Sequence, residues 1–186
     1  MADKILDELV KQMQEHINSV GGKLVVDGKM GEKTYNAIFL RQNGPAKAGV
    51  RQDWRLAISL VRLRTQINEA YPARAKDADG TIGDAAHQTR TSDHNPWVRD
   101  DLGQPIVTAL DITHDPKDGV DCFVIANAIK TDPRVKYIIW DGKIWNPGKK
   151  LAWVKYTGAN PHTHHMHVSV KEEQIHFDST VAWRIK

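Results

Sequence analysis

The sequence contains a single cysteine, Cys122, which excludes both a disulfide framework within the chain and a zinc finger built on cysteines. It contains no run of about 18 apolar residues, so we expect no transmembrane helix. Residues 1–8 lack the basic-then-apolar pattern of a secretory signal, which predicts synthesis in the cytoplasm. The formal net charge is only +3, too small to indicate a nucleic-acid partner. We therefore expect a protein that binds neither membranes nor nucleic acid. We also expect it to be a monomer.

The chain has 186 residues, of which 40% are hydrophobic and 26% charged, a balance typical of a folded globular protein. Apolar residues recur at helical spacing over 3–20 and again over 32–40. A stretch rich in Gly, Ala and Pro follows the second run. We therefore predict a small helical module at 1–45, a linker at 46–52 and a larger domain at 53–186.

The pattern of the larger domain predicts an α+β fold with a mainly antiparallel sheet and flanking helices. Asp141-Gly142 lies between two apolar runs, a strong hairpin signal. Val181, Trp183 and Ile185 alternate with other residues near the C-terminus and favour an added strand. The predicted elements are a helix at 54–71, a long loop at 73–105, a strand at 106–113, a helix at 120–129, a hairpin at 135–145, and strands at 151–156 and 166–170.

Histidine is the chemically distinctive residue of this chain, since seven of its nine histidines lie between residues 87 and 167. Imidazole nitrogen and carboxylate oxygen are ligands that suit zinc, and three protein ligands leave a fourth position open. The segments that supply such side chains are 92–94, 109–111 and 164–167. The sequence therefore predicts a metal site assembled from three distant segments.

His165 and His167 are separated by one residue in a predicted strand. Because successive side chains of a strand point to opposite faces, both histidines lie on one face and Met166 lies on the other. One histidine can then bind a metal while its neighbour faces a substrate.

The sequence contains three short motifs, Ser92-x-His94, Ala109-x-Asp111 and His165-x-His167. They resemble the motifs of zinc peptidases of the D-Ala-D-Ala carboxypeptidase family, with the hedgehog/DD-peptidase fold. This family includes the L-alanyl-D-glutamate endopeptidases of phage endolysins. The resemblance covers roughly residues 54–170. His94 and Asp111 are 17 residues apart, a longer interval than in the best-known members, and residues 97–105 look like an inserted loop. Val107 stands where the family motif has glycine.

The resemblance implies one zinc ion per chain, held by His94, Asp111 and His167. It also implies that Arg90 stabilises the carbonyl or carboxylate of the substrate. The match to the family leaves the proton-transfer residue open between His165 and His164.

Strand geometry favours His165 over His164 as the general base. Ser92 and Trp97 are the further candidates for contact with the substrate.

The N-terminal module carries a second resemblance. Residues 24–34, followed by Ala37, are similar to the Val-Asp-Gly-x-x-Gly-x-x-Thr core of peptidoglycan-binding domains. The match implies that Asp27, Gly28 and Thr34 contact the cell wall. A plain helical hairpin is the alternative interpretation.

Both resemblances indicate one polymer, bacterial peptidoglycan. The expected function is that of an endolysin, a zinc metallopeptidase that hydrolyses an amide bond of the stem peptide. It would be made in the cytoplasm without a signal peptide and would act on the wall after release. A D-Ala-D-Ala carboxypeptidase is the first alternative. A metal-dependent nuclease, suggested by residues 93–95 and the basic pI, and a non-catalytic wall-binding protein are the others.

Overall fold

The structure is a computed structural model that describes residues 7–8, 10–12, 14–15, 18, 25–28, 54–83, 91–101 and 103–186. The chain divides into two compact units, Met1–Gln52 and Asp53–Lys186. In the described ranges, no helix has the length and apolar character needed to cross a bilayer.

In the smaller unit, the described residues between Asp7 and Asn18 are helical, as predicted for this segment. The Gln14 side chain holds the turn at Asp27 and Gly28. Its Oε1 accepts the backbone N–H of both residues, at 3.1 and 3.0 Å, and its Nε2 donates to Asp27 Oδ1 at 2.9 Å. Gly28 has a left-handed φ of 74°, and a Cβ there would lie 2.8 Å from the Asp7 carbonyl oxygen. The predicted second helix and linker lie outside the described residues.

In its described residues, the larger unit combines short strands with three α-helices. Its strands are β1 (Arg55–Leu56), β2 (Val98–Arg99), β3 (Pro105–Val107), β4 (Ala109–Thr113), β5 (Val135–Trp140), β6 (Lys143–Asn146), β7 (Lys150–Lys155) and β8 (His165–Val170). Its α-helices are α1 (Ile58–Ala70), α2 (Cys122–Ile129) and α3 (Gln174–Phe177), and a 3₁₀ turn covers Pro116–Asp118.

The strands form a three-stranded sheet in the order β1-β3-β2 and a five-stranded sheet in the order β4-β8-β5-β6-β7. All pairs are antiparallel except β1 with β3. The predicted α+β class with mainly antiparallel sheet is therefore confirmed. The predicted hairpin is also present, with Asp141 and Gly142 both at positive φ in its two-residue turn.

One face of the five-stranded sheet forms the core of the larger unit. α1 and α2 pack against this sheet, so its apolar side chains are removed from water. The other face of β4 and β8 carries the polar side chains. The fully buried core residues include Leu60, Leu63, Ile67, Leu110, Ile112, Met166, Val168 and Val170.

The predicted helix at 54–71 begins later than expected, at Ile58, because residues 55 and 56 pair with β3 instead. Arg55 explains this start: its buried guanidinium forms ion pairs with Asp178 at 2.7 Å and Asp100 at 2.9 Å. Partners more than 40 residues away override the local helical pattern.

The predicted strand at 106–113 is two strands in two different sheets, separated at Thr108. The Thr108 N–H donates to the Asp93 carbonyl and its own carbonyl accepts from Val170 N–H. The predicted C-terminal strand is wrong. Trp183 packs instead against α1, where its Nε1 donates to the Ser59 carbonyl at 2.7 Å.

Candidate metal centre

Two neighbouring strands supply Asp111 and His167. These residues face each other directly in the β4–β8 ladder, and such antiparallel partners project to the same side of a sheet. On its other side, the backbone of Asp111 pairs with Gly80, with bonds of 2.8 and 3.2 Å. Strand register therefore brings together two residues that are 56 positions apart in the chain.

His94 reaches the same point from a turn. The Asn95 N–H donates to the Ser92 carbonyl at 2.9 Å, and the His94 N–H donates to Ser92 Oγ at 3.3 Å. The Gly83 N–H donates to the His94 carbonyl at 3.1 Å. The residue predicted to contact substrate, Ser92, thus shapes the backbone that presents His94.

Three donor atoms converge on one point. Asp111 Oδ1 lies 3.0 Å from His167 Nδ1 and 3.2 Å from His94 Nε2, and the two nitrogens are 3.1 Å apart. A tetrahedral zinc ion with bonds of about 2.0–2.1 Å separates its ligand atoms by about 3.3–3.4 Å. The triangle needs to open by only a few tenths of an ångström, so these residues could hold a metal ion.

Hydrogen bonds at the far side of each ring present the correct nitrogen to a metal. His94 Nδ1 lies 2.7 Å from the Thr81 carbonyl, which can only accept, so Nδ1 carries the proton and Nε2 carries the lone pair. His167 Nε2 lies 2.9 Å from Ser169 Oγ, which accepts its proton in the tautomer that leaves Nδ1 free. Histidine ligands of metals are oriented in this way.

The electrostatics of the cluster favour charge on Asp111. Burial opposes that charge, but hydrogen bonds with His167 and His94 outweigh it and hold the pKa of the carboxyl well below its usual range. Burial also opposes charge on His94, yet Asp111 raises the pKa of that histidine above its ordinary value. The charge on Asp111 therefore favours a positive charge beside it, which a protonated His94 or a bound cation could supply.

His165 lies beside this cluster on the same face of β8. Its Nε2 is 3.7 Å from Asp111 Oδ2, and its side chain is 17% exposed. Burial lowers the pKa of His165, and the neighbouring His167 and His94 lower it further against the attraction of Asp111. The ring is therefore neutral near pH 7 and able to accept a proton. His164, the alternative base, is exposed, and its carbonyl accepts from the His114 N–H.

An ion pair supports the segment that faces Asp111. The Arg74 guanidinium is fully buried and pairs with Asp79, whose Oδ1 also accepts the N–H and the hydroxyl of Thr113, at 2.9 and 2.8 Å. Asp79 precedes Gly80 and Thr81, which contact Asp111 and His94. The pair therefore fixes two residues that orient the candidate metal ligands.

The remaining predicted site residues do not all meet at this cluster. Trp97 is 56% exposed. Asp27 and Gly28 belong to the smaller unit. Arg90 and Thr34 lie outside the described residues.

Sequence reasoning gave no role to His162, which the structure places against the site. Its ring contacts those of His165 and His167, with centroids 5.0 and 5.4 Å apart. Burial and these two histidines lower the pKa of His162 to about 4. The feature of the sequence that could have identified His162 as a site residue is its position in the histidine-rich segment 162–167. Its approach depends on a left-handed φ of 56°, which the sequence does not reveal.

A cavity of about 280 Å³ lies along β6 and β7. Lys149, Lys155 and Tyr156 are among the residues that line it. Tyr156 also contacts His162, with ring centroids 5.8 Å apart. Tyr156 therefore connects the lining of this cavity, which includes two lysines, to His162.

Comparison of the chain with protein-family models, with curated proteins and with solved structures finds no match in any of the three.

Proposed function

We propose that this protein is a zinc-dependent peptidase of bacterial cell walls, which hydrolyses an amide bond of the peptidoglycan stem peptide as an endolysin does. The observation that carries the proposal is the triangle of His94, Asp111 and His167 donor atoms, with a neutral histidine beside it on the same sheet face. The hedgehog/DD-peptidase fold and the L-alanyl-D-glutamate bond are the finer parts of this proposal and derive from the motif resemblance.

The metal would be held by His94 Nε2, His167 Nδ1 and Asp111 Oδ1. When bound, zinc supplies Lewis acidity, which polarises a carbonyl group and lowers the pKa of a water molecule. Two imidazoles and one carboxylate suit zinc more than magnesium or calcium, which prefer oxygen ligands. Three protein ligands are also the number typical of catalytic zinc sites.

The proton would be handled by His165. Because burial and its neighbours lower the pKa of this ring, it is unprotonated at neutral pH and can accept a proton from the attacking water at Nε2. The same nitrogen then returns the proton to the leaving amide nitrogen. Arg90 remains our proposed cation for the substrate oxygen.

A peptide that carries carboxylates suits the surroundings of the site. Lys149 and Lys155 line the same cavity as Tyr156, whose ring contacts His162, and the side chain of Trp97 is exposed to solvent. A stem peptide with a D-glutamate residue offers negative charge to such lysines. This charge match supports an acidic peptide as substrate.

We further propose that the smaller unit binds the wall. Gln14 holds the Asp27–Gly28 turn by three hydrogen bonds, which gives a short exposed segment a defined shape. A wall-binding module raises the local concentration of the peptidase near many identical bonds without altering its chemistry.

The proposal is tested by digesting purified peptidoglycan with the full chain and identifying the released fragments by mass spectrometry. New amino termini at the L-alanyl-D-glutamate bond are expected, with loss of activity after chelation and recovery on addition of zinc. Released D-alanine alone would indicate the carboxypeptidase. Cleavage of plasmid DNA with intact peptidoglycan would indicate the nuclease, and binding without cleavage of either polymer would contradict any enzymatic function.

A further inference from the structure

A second group of donor atoms shares Asp111. A ring nitrogen of His162, a ring nitrogen of His165 and a carboxylate oxygen of Asp111 all lie within 4.8 Å of one another. Asp111 Oδ2 is the oxygen nearer this group, 3.7 Å from His165 Nε2, whereas Oδ1 belongs to the triangle with His94 and His167. The two oxygens of one carboxylate therefore face two different sets of histidines.

His162 is held in place although one of its ring nitrogens has no hydrogen bond. The residue is 8% exposed, and within the described part of the chain Nδ1 has no partner. Its backbone is fixed on both sides: its N–H donates to Asn160 Oδ1 at 3.0 Å and its carbonyl accepts from the Asp141 N–H at 3.1 Å. A buried polar atom without a partner costs about 1–3 kcal/mol, so a ligand for this ring would be stabilising.

We propose that Asp111, His162 and His165 form a second divalent-cation site, weaker than the first, which binds zinc when zinc is in excess. Two cations in such a paired site normally lie about 3.5–4 Å apart. At this spacing each of the two carboxylate oxygens of Asp111 could bind one cation.

Geometry and charge both make the second site the weaker one. In the second group His165 Nε2 and Asp111 Oδ2 are 3.7 Å apart, whereas the three donor atoms of the first triangle lie 3.0–3.2 Å from one another. The second group is therefore the less closely gathered of the two. In addition, Asp111 is the one carboxylate among the five side chains of the two groups, so a second cation would be poorly neutralised.

Occupation of this site has a functional consequence, which rests on the proposed peptidase function. A cation bound to the ring nitrogen of His165 would occupy the lone pair that otherwise accepts the proton. Excess zinc would therefore inhibit the enzyme that stoichiometric zinc activates.

The site is tested by zinc titration of the full chain, with bound metal measured by calorimetry and by elemental analysis after dialysis. Two binding events are expected, one tight and one weak. His162→Asn tolerates the left-handed backbone and should raise the Kd of the weak event at least about tenfold while the tight event remains. His165→Ala should do the same, and His164→Ala, an exposed neighbour, should retain both events.

A single binding event in the wild-type chain would overturn the second site. So would a weak event that persists unchanged in folded His162→Asn and His165→Ala, with folding checked by thermal melting. These measurements do not depend on hydrolysis, so a chain that binds two zinc ions without cleaving peptidoglycan would contradict the proposed function alone. If the function holds, His162→Asn should also be less sensitive than wild type to inhibition by excess zinc.

Discussion

The three metal-ligand candidates come from two regions that position their side chains by different means. Asp111 and His167 are directly opposed residues of the β4–β8 ladder, so many backbone hydrogen bonds hold them together. His94 stands in a turn, and its ring is oriented by the Thr81 carbonyl. The sheet side of the site is therefore robust to changes in single supporting side chains. The turn side depends on individual contacts, above all on the Thr81 carbonyl, which follows two residues after Asp79.

The largest effect is expected from removing a ligand on the sheet side. His167→Ala deletes one corner of the donor triangle, which leaves two ligands for the metal. We expect loss of stoichiometric metal, measured by elemental analysis, and loss of peptidoglycan hydrolysis to background. His164→Ala is the matched control, since His164 is exposed and outside both donor groups. Equal metal content in the two variants would contradict the assignment of His167.

His165→Ala separates proton transfer from metal binding within the same strand. The tight metal should remain, because His94, Asp111 and His167 are intact. The rate of hydrolysis should fall by roughly 10²–10⁴-fold, the usual contribution of a general base. The readout is kcat at saturating substrate together with metal content. If His165→Ala keeps its rate and His164→Ala loses it, the two roles must be exchanged.

Asp79→Ala tests the turn side. It leaves the buried Arg74 charge without its partner, which we expect to lower the free energy of unfolding by about 3–5 kcal/mol. Asp132→Ala breaks a similar pair with Arg134 elsewhere in the larger unit. Urea unfolding should show destabilisation in both variants. A chelator competition should show weakened metal binding in Asp79→Ala alone, and equal weakening in both would remove the special role of Asp79.

Gly80→Ala probes the contact between the two regions. A Cβ at this position would lie 2.9 Å from Asp111 Oδ2, so the carboxylate must move. We expect metal affinity to fall by about 10–100-fold, as for other changes that misorient a ligand, with little loss of thermal stability. Gly148→Ala is the control, because the nearest atom to its Cβ is at 3.4 Å and belongs to Asn146. An unchanged metal Kd in Gly80→Ala would show that Asp111 has room to adjust.

The smallest effect concerns pH. Burial opposes the charge on Asp79, but hydrogen bonds from Arg74 and Thr113 outweigh it, so the pKa of this carboxyl lies below 3.8. A lowered pKa contributes stability that is present above the unfolded-state pKa of about 3.9 and is lost as pH falls through the folded-state value. The difference in unfolding free energy between wild type and Asp79→Ala should be constant from pH 7 to about 5 and shrink below about 4. Urea unfolding with a chelator present measures it, and a gap that does not shrink in acid would contradict this account.

Short-range patterns predicted the parts of the fold that local chemistry controls. Alternation in His165-Met166-His167 placed both histidines on one face, and Asp141-Gly142 predicted the hairpin between β5 and β6. Met166 lies in the core as that alternation requires. The same reasoning failed at the start of α1, at Thr108 and at the C-terminus, where distant partners decide the conformation.

The sequence by itself determined the kinds of candidate ligand, the face of β8 that bears two of the histidines and the class of the fold, because these follow from residue chemistry and from the two-residue period of a strand. Only the tertiary structure decided that Asp111 stands between Gly80 and His167, that Thr81 orients His94, and that His162 joins the cluster. These contacts join segments far apart in the chain or depend on one left-handed backbone angle. No local periodicity of the sequence encodes such long-range contacts or that backbone angle, because strand register and loop position are set by the packing of the whole unit.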